Sequence, residues 1–320
     1  MPTDPTSDPI ACTRLRIVLD GGPQPWSIPI DYYRLLRAAV YNLLHRVDPQ
    51  LAEFLHSGGF SAESPAIDFR TSRDLPSAPA PTPETFKLFC FSSLIGEGSL
   101  RQGRLTFDRP ALWFFATPLG FVADTLTSAL RETGTLRIGR VDLKVANLRR
   151  LDKPAVDNPL TGVLLSPLVI SAPVPSALPN VGPADSVDPA ATGSEPAPPA
   201  GRRRRYLTRE DGIVLTETRL RSNLLAKHRA LYGVEPEDPE FTFLWSAAST
   251  LWPTPDRPTR LVRLSARGQP PVRVRGSLGA VTLTGSPEML RLALHAGLGQ
   301  YNASGMGFLL PETESPLLQV

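Results

Sequence analysis

"SPEMLRLALHAGLGQYNASGMGFLL", Ser286 to Leu310, holds a helix pattern, a loop with four glycines and a strand pattern in that order. Ser286 suits a helix N-cap, Pro287 suits the first turn, and Gly297 suits a left-handed helix end. A dinucleotide-binding fingerprint has the opposite order, with the helix after the glycines. A Walker loop needs a Lys and a Ser or Thr after its last glycine, and neither follows Gly307. The order of elements therefore excludes both nucleotide-binding motifs.

The glycine loop itself has two interpretations. Gly297, Gly299, Gly305 and Gly307 lack a Cβ, so their backbone can approach an anion such as a phosphate. The alternative is a tight connection between the helix and the strand. Four glycines together with Asn302 exceed what a turn needs, which favours a role in binding. On that reading, replacing Gly299 or Gly305 with Val should impair ligand binding more than thermal stability.

The composition is that of a globular chain with a mild excess of basic residues. The 320 residues leave room for two domains, and 41% of them are hydrophobic. A net charge of +3 permits a polyanionic partner without requiring one. Cys12 and Cys90 are too few for a disulfide framework or a metal site. The polar N-terminus and the lack of a long apolar run predict a cytoplasmic protein that does not contact a membrane.

Two segments are rich in proline, of which the chain has 35. Residues 172–201 contain mainly Pro, Ala and small polar residues, with almost no large apolar side chains. Such a segment buries too little surface to offset its ordering entropy, so we predict a disordered insertion. Residues 71–84 are interpreted as a second, shorter insertion. Four arginines, Arg202 to Arg205, follow the long one.

The remaining segments alternate between strand and helix patterns in the same order twice. In the first half, a half-buried strand at Arg14–Leu19 is followed by an amphipathic helix at Asp31–Val47, two apolar strands, a second helix and a closing strand. The second half repeats this order, starting with a strand at 162–171. The pattern β-α-β-β-α-β is that of the ferredoxin-like unit. The sequence therefore predicts an α+β protein with two tandem ferredoxin-like domains, residues 10–152 and 153–312.

Arginines are concentrated in one part of the second half. Between Asp256 and Arg275 there are six arginines and a single acid. In "VRVRG", Arg273 and Arg275 should face one side of a strand, because successive side chains alternate. A row of planar guanidinium groups suits a nucleic-acid backbone, so Arg263, Arg273 and Arg275 are candidate RNA-binding residues. The alternative is an ordinary solvated face.

Acidic clusters of the kind that hold Mg²⁺ are missing, as are a nucleophile elbow and an H-E-x-x-H motif. The chemistry left is acid–base catalysis without a metal ion, for which histidine is suited. RNA permits such chemistry because its own 2′-OH is the nucleophile, and the enzyme has only to align it, protonate the leaving oxygen and stabilise the transition state.

Seven segments together resemble one family: "RLRIVL", "IPIDYYRLLRAAVYNLL", "PQLAEFLHSGGF", "FKLFCFSSL", "SPLVIS", "NLLAKHRALYG" and "GLGQYNASGMGFL". The family is the CRISPR-associated repeat endoribonucleases, the sixth Cas family. The match covers most of the chain and leaves out the two proline-rich segments. The resemblance implies two ferredoxin-like domains, a glycine-rich loop before the last strand, CRISPR repeat RNA as the partner, and no cofactor or metal.

The resemblance also implies an active site. The family's catalytic histidine follows the first helix, which corresponds to His56, and His45 is the competing candidate. Tyr41 and Lys87 correspond to a tyrosine and a lysine that only some members use. Their alternative roles are a core aromatic side chain and an ordinary lysine at the start of a strand. On this reading, His56 is the general acid, Tyr41 orients or deprotonates the 2′-OH, and Lys87 stabilises the phosphorane charge.

The function implied is cleavage of CRISPR precursor RNA within its repeats, leaving a 2′,3′-cyclic phosphate and a 5′-OH. The alternative is a repeat-binding subunit of a CRISPR effector complex that does not cut RNA. A third possibility is an unrelated ferredoxin-like RNA-binding protein. The strands of this chain do not match the aromatic motifs of an RNA-recognition motif, which weakens that third reading.

Overall fold

The computed structural model describes residues 12–22, 25–69, 71–76, 85–152, 156–173, 204–246, 258–265 and 272–318. These ranges leave out most of the insertion predicted at 172–201. They also leave out residues 77–84 of the shorter insertion. In the described part of the chain, no helix is both long and apolar enough to cross a membrane.

The first half forms a sheet covered on one side by helices. Its elements are β1 (Thr13–Asp20), β2 (Trp26–Pro29), α1 (Tyr33–Val47), α2 (Pro49–Ser57), β3 (Cys90–Phe91), β4 (Gly98–Arg101), β5 (Arg104–Phe107), β6 (Ala111–Thr117), α3 (Gly120–Thr133), β7 (Thr135–Ile138) and β8 (Val141–Leu151). The main sheet has the order β3-β6-β1-β8-β7. The elements β1, α1, β3, β6, α3 and β8 form the predicted ferredoxin-like arrangement, and β7 is added at one edge of the sheet. β2, β5 and β4 form a separate small sheet.

The second half repeats the arrangement. Its elements are β9 (Leu160–Leu164), β10 (Ser171–Pro173), β11 (Arg204–Tyr206), α4 (Ile213–Tyr232), β12 (Phe241–Trp245), β13 (Thr259–Arg263), β14 (Arg273–Ser277), β15 (Ala280–Gly285), α5 (Pro287–Ala296) and β16 (Leu309–Pro311). The sheet order β12-β15-β9-β16 matches the first unit strand for strand. β10–β11 and β13–β14 are two hairpins added to this unit. The prediction of two tandem ferredoxin-like folds is therefore confirmed, whereas the boundary at 152/153 stays a prediction.

The two sheets face each other across a shared apolar layer. One hydrophobic cluster joins β1, β3 and β6 to β9, β15 and β16, and Phe114 lies 6.0 Å from Phe308 between ring centroids. Because the helices cover the other face, β1 is buried on both sides, down to Arg14 at 1% exposure. The prediction that Arg14–Leu19 is half-buried was therefore wrong. Alternation along a strand shows which residues share a face, but not what covers each face.

Buried Arg14 also ties the end of the described chain to the first sheet. It pairs with Glu314, donates to the Leu309 carbonyl at 3.1 Å, and places its guanidinium 5.3 Å from the Phe308 ring centroid. Arg16 donates to the Leu317 carbonyl at 2.9 Å. The 3₁₀ segment Glu312–Leu318 thus packs against β1 as well as against β9 and β16 of its own sheet.

Three sequence expectations about boundaries need correction. The strand predicted at 162–171 ends at Leu164, and the chain resumes as a strand only at Ser171. Ala172 and Pro173 are not part of a disordered insertion, because they pair with Arg205 and Arg204 in the β10–β11 hairpin. The shorter insertion also begins with structure: residues 72–74 form a 3₁₀ turn, and the next residue, Leu75, is buried.

Candidate functional site

Tyr41, His56 and Lys87 come together from three separate elements. The Tyr41 and His56 rings meet edge to face, with 5.4 Å between centroids. The Lys87 ammonium donates to the Gly58 carbonyl at 2.9 Å and to the His56 carbonyl at 3.4 Å. The His56 side chain is exposed, while those of Tyr41 and Lys87 are half-buried. An imidazole, a phenol and an ammonium group are thus grouped on one surface.

Local sequence explains how His56 reaches this position. Asp48 caps α2 by accepting from the Leu51 N–H at 2.9 Å, and Pro49 fits the first helical position. The helix ends one residue after His56, so the imidazole lies in its last turn. This sharp break between α1 and α2 turns His56 back toward Tyr41.

Lys87 is brought in by a short antiparallel bridge. Phe60 and Phe86 exchange both backbone hydrogen bonds, at 2.8 and 2.7 Å. Gly59 lies beside this bridge with φ +102°, and a Cβ there would lie 2.4 Å from the Phe86 carbonyl oxygen. Only glycine lets the two chain segments approach so closely. The bridge therefore fixes Lys87 against the end of α2.

The surroundings shift the pKa of two of the three groups. Burial raises the pKa of the Tyr41 phenol, although nearby Arg37 opposes the shift, and its hydroxyl donates to the Leu55 carbonyl at 3.3 Å. Burial, with a smaller contribution from the positive charge of Arg37, lowers the pKa of Lys87 to about 8. At neutral pH the phenol is therefore protonated and the lysine mostly charged.

His45, the competing histidine, lies near the C-terminal end of α1 with an exposed side chain. Within the described residues, no hydrogen bond or ring contact joins it to Tyr41 or Lys87. The geometry therefore groups His56, rather than His45, with the other two candidates.

A cleft adjoins this cluster. It has a volume of about 540 Å³ and is lined by Lys87, Phe89, residues of α4 and most of the glycine loop. Three cations, Arg37, Lys87 and Lys227, line it, and no carboxylate does so among the described residues. Such a cavity has the charge and size to hold part of a polyanion.

The glycines of the loop pack against protein. All four have positive φ, between 67° and 84°. A Cβ at Gly307 would lie 1.9 Å from the Leu298 carbonyl oxygen, one at Gly299 2.5 Å from the Val169 oxygen, and one at Gly305 2.4 Å from the Phe91 ring. Gly297 combines its positive φ with ψ 158°, so it does not end α5 in the left-handed turn that we predicted. That valine substitutions affect binding more than stability stays a prediction; because the close approaches are internal, we expect these substitutions to lower stability as well.

The part of the loop that faces the cleft is its middle. Gln300 to Ala303 are exposed or half-buried, whereas the flanking residues are buried. The Asn302 amide is used within the loop, since it donates to the Leu298 and Met306 carbonyls at 2.9 Å each. Direct RNA contact by the glycines and Asn302 stays a prediction.

Lys227 is a component of this site that sequence analysis missed. It is 2% exposed and donates to the Gly297 carbonyl at 2.6 Å and the Gly299 carbonyl at 3.0 Å, and burial lowers its pKa to about 7. Its ammonium thus binds the carbonyl of Gly297, the residue at which α5 ends. The signal in the sequence was a lysine within the apolar stripe of α4, three residues after Leu224 and four before Leu231.

The three candidate arginines lie together on the β13–β14 hairpin, outside the lining of the cleft. Arg263 is directly opposite Arg273, and Arg275 is opposite Leu261, so all three side chains share one face. The predicted alternation is confirmed, with Val274 fully buried on the other face. Like charges directly opposite each other destabilise a hairpin, so this arrangement favours an anionic ligand.

Potential metal ligands are scattered. In the ranges that the structure describes, no three His, Cys, Asp or Glu side chains come together in a group that could hold a metal ion.

Comparison with known proteins agrees with the fold. Residues 197–310 match the family model of the CRISPR-associated protein Cas6, C-terminal. No curated protein sequence matches the chain.

Among solved structures, the product of a Cas6-related gene from Pyrococcus furiosus has a TM-score of 0.67 at 16% identity, covering 94% of this chain and 98% of the other. A RAMP protein binding different RNA substrates has a TM-score of 0.63 at 16% identity, covering 93% and 99%. A Cas6 product complex has a TM-score of 0.51 at 18% identity, covering 94% and 100%. The resemblance is therefore confirmed: residues 197–310 match the model of the Cas6 C-terminal domain, and the chain has the same fold as these solved structures.

Proposed function

We propose that this protein is an endoribonuclease that binds CRISPR repeat RNA and cleaves the precursor within its repeats without a metal ion. The observation that carries the proposal is the meeting of Tyr41, His56 and Lys87 beside a cationic cleft. The similar fold of a Cas6 product complex and of a RAMP protein binding RNA substrates supports RNA as the ligand.

The proposed reaction needs three contributions, and the first comes from the RNA. Its 2′-OH attacks the adjacent phosphorus, so the protein has only to hold the two in line. His56 protonates the leaving 5′-oxygen as the general acid. The Lys87 ammonium stabilises the negative charge of the phosphorane. The products are a 2′,3′-cyclic phosphate and a 5′-OH.

Tyr41 fits an orienting role better than that of a base. Because burial raises its pKa, the phenol stays protonated at neutral pH. Its proton is donated to the Leu55 carbonyl, so its oxygen is left to accept a hydrogen bond from the RNA. It therefore positions the attacking nucleotide, and the proton of the 2′-OH passes to water.

RNA affinity would come from surfaces outside this cluster. Arg37 lines the adjoining cleft, and the arginine face of the β13–β14 hairpin offers further phosphate contacts. Binding and cutting are therefore separable, which makes the general acid testable on its own.

The test compares His56→Ala with His45→Ala, a matched control that also removes an exposed histidine from a helix end. A general acid contributes roughly 10²–10⁴-fold to rate, so His56→Ala should slow single-turnover cleavage of a CRISPR repeat RNA by that order. Binding of the uncleaved RNA should change little, and His45→Ala should cleave almost normally. All assays contain excess EDTA, in which the wild type should remain active.

Three outcomes would contradict parts of the proposal. A substrate with one 2′-deoxy nucleotide upstream of the scissile phosphate lacks the nucleophile and should bind without being cut. If it is cut, or if EDTA abolishes cleavage and Mg²⁺ restores it, the reaction is different. If the wild type and His56→Ala are equally inactive on RNA that both bind, the protein is a repeat-binding subunit.

A further inference from the structure

Tyr301, in the middle of the glycine loop, has an unusual backbone conformation. Its φ of 60° and ψ of 29° lie in the left-handed region, which glycine and asparagine tolerate far better than an aromatic residue does. The loop uses glycine at its four other positive-φ positions. An aromatic side chain at this strained position, where a smaller residue would fit without strain, calls for a role of its ring.

The loop holds the backbone of Tyr301 in place. Gln300 on one side donates its N–H to the Val169 carbonyl at 2.8 Å, and the Ser304 N–H is bonded to the Tyr301 carbonyl at 2.8 Å. The side-chain amide of Asn302 bridges two loop carbonyls. The backbone that carries Tyr301 is therefore tied on both sides.

The ring itself is free. Tyr301 is 42% exposed, and within the described part of the chain it contacts no other aromatic ring and its hydroxyl has no hydrogen-bond partner. It lines the cleft that also contains Arg37 and Lys87. Arg37 is close to the loop, because its guanidinium donates to the Ser304 hydroxyl at 3.2 Å.

The cleft therefore offers a flat aromatic face beside cations, without a carboxylate among the described lining residues. A ligand that uses both features carries a negative charge next to a flat, stackable ring. An unpaired nucleotide of RNA has both, and aromatic side chains bind single strands by stacking on their bases.

We infer that Tyr301 is the stacking platform for an unpaired nucleobase of RNA, and that Arg37 and Lys87 hold the adjoining phosphates. This inference rests on the proposed RNA-binding function. It assigns base contact to the exposed middle of the loop, while the glycines around it only shape the backbone.

The test measures binding of a fluorescein-labelled oligoadenylate of about twelve nucleotides, with inorganic polyphosphate as an anion that has no bases. Tyr301→Asn removes the ring and suits the left-handed backbone, so the variant should fold at least as well as the wild type. Loss of one stacked base should weaken oligoadenylate binding roughly 5- to 100-fold. Polyphosphate binding should not change. Tyr301→Phe and Tyr301→Trp, which keep a ring, should bind oligoadenylate nearly as the wild type does.

Gln102→Asn is the matched control. Gln102 has the same kind of left-handed backbone, φ 49°, in the exposed β4–β5 turn away from the cleft. This variant relieves similar strain and should leave oligoadenylate binding unchanged.

The remaining outcomes separate the inference from the function on which it rests. If the wild type binds oligoadenylate and Tyr301→Asn binds it equally well, the stacking inference is wrong and RNA binding stands. The same conclusion follows if Tyr301→Phe is as weak as Tyr301→Asn, because the hydroxyl rather than the ring would then be responsible. If the wild type binds neither oligoadenylate nor CRISPR repeat RNA, the proposed function fails as well.

Discussion

Lys87 is the residue that joins the two halves of the candidate site. Its ammonium is bonded to the end of α2, where His56 lies, and its side chain also lines the cleft beside the glycine loop. The next residue, Leu88, is buried with φ 51°, so two of the three non-glycine residues with positive φ in the described chain border this cleft. Backbone strain of this kind concentrates at functional sites.

The pKa of Lys87 makes a prediction for RNA binding. A lysine is charged below its pKa, which for Lys87 is about 8, so its charge is present at pH 7 and is lost as the pH rises through 8. Affinity for oligoadenylate should therefore fall roughly three- to tenfold over this range, as expected for one partly exposed phosphate contact worth about 1 kcal/mol. The Lys87→Arg variant keeps its charge over this pH range, so its affinity for oligoadenylate should not fall there. Fluorescence anisotropy from pH 6 to 9 measures both proteins.

Lys227, which has a pKa of about 7, is present in both the wild type and Lys87→Arg. Any change in affinity near pH 7 should therefore be the same for the two proteins. Identical curves throughout would show that the charge of Lys87 does not contact RNA.

At the scale of the element, the glycine loop is a scaffold whose geometry depends on the missing side chains. Gly307 has φ +70°, and a Cβ there would lie 1.9 Å from a backbone oxygen. Gly307→Ala should therefore lower the free energy of unfolding by about 3 kcal/mol or more, since backbone strain and a clash add together. Urea denaturation followed by circular dichroism measures the change.

Gly103→Ala is the matched control for this prediction. Gly103 has nearly the same φ, +72°, but a Cβ there would meet nothing within 4 Å. Only the left-handed backbone is then penalised, at a cost of about 1–2 kcal/mol. Equal losses for the two variants would mean that the loop can move away from the added methyl group.

At the scale of the whole molecule, the two ferredoxin-like units are held together by face-to-face sheets and by the packing of the glycine loop on the first unit. Gly305 lies against the rings of Phe91 and Tyr33, and Arg37 of α1 is bonded to Ser304. The cleft is therefore built from both units, so neither unit alone contains the complete proposed site.

The long proline-rich segment leaves and returns at one place on this molecule. Pro173 and Arg204, the ends of β10 and β11, are paired neighbours. Replacing residues 175–201 with a short Gly/Ser linker should therefore leave a closed hairpin, with a melting temperature within about 5 °C and cleavage within about threefold of the wild type. Differential scanning calorimetry and the single-turnover assay test this. Loss of folded protein would show that the segment contributes to the structure.

The order of helices and strands could be predicted from the sequence alone. Apolar spacing is a local signal, so α1 and α5 were predicted close to their observed limits, and the double β-α-β-β-α-β order predicted the two sheets. The sequence also determined the candidates: the family resemblance singled out His56, Tyr41 and Lys87, although 46 residues separate the first and last of these along the chain.

What covers each face of a strand, and what each side chain contacts, could be seen only in the folded protein. The burial of Arg14 depends on a second sheet more than 140 residues away, and the role of Lys227 depends on carbonyls 70 and 72 residues along the chain. The glycines were interpreted as approaching a phosphate, because positive φ and close approach look the same in the sequence whether the neighbour is a ligand or the protein. Such contacts are set by long-range packing, which local spacing does not encode.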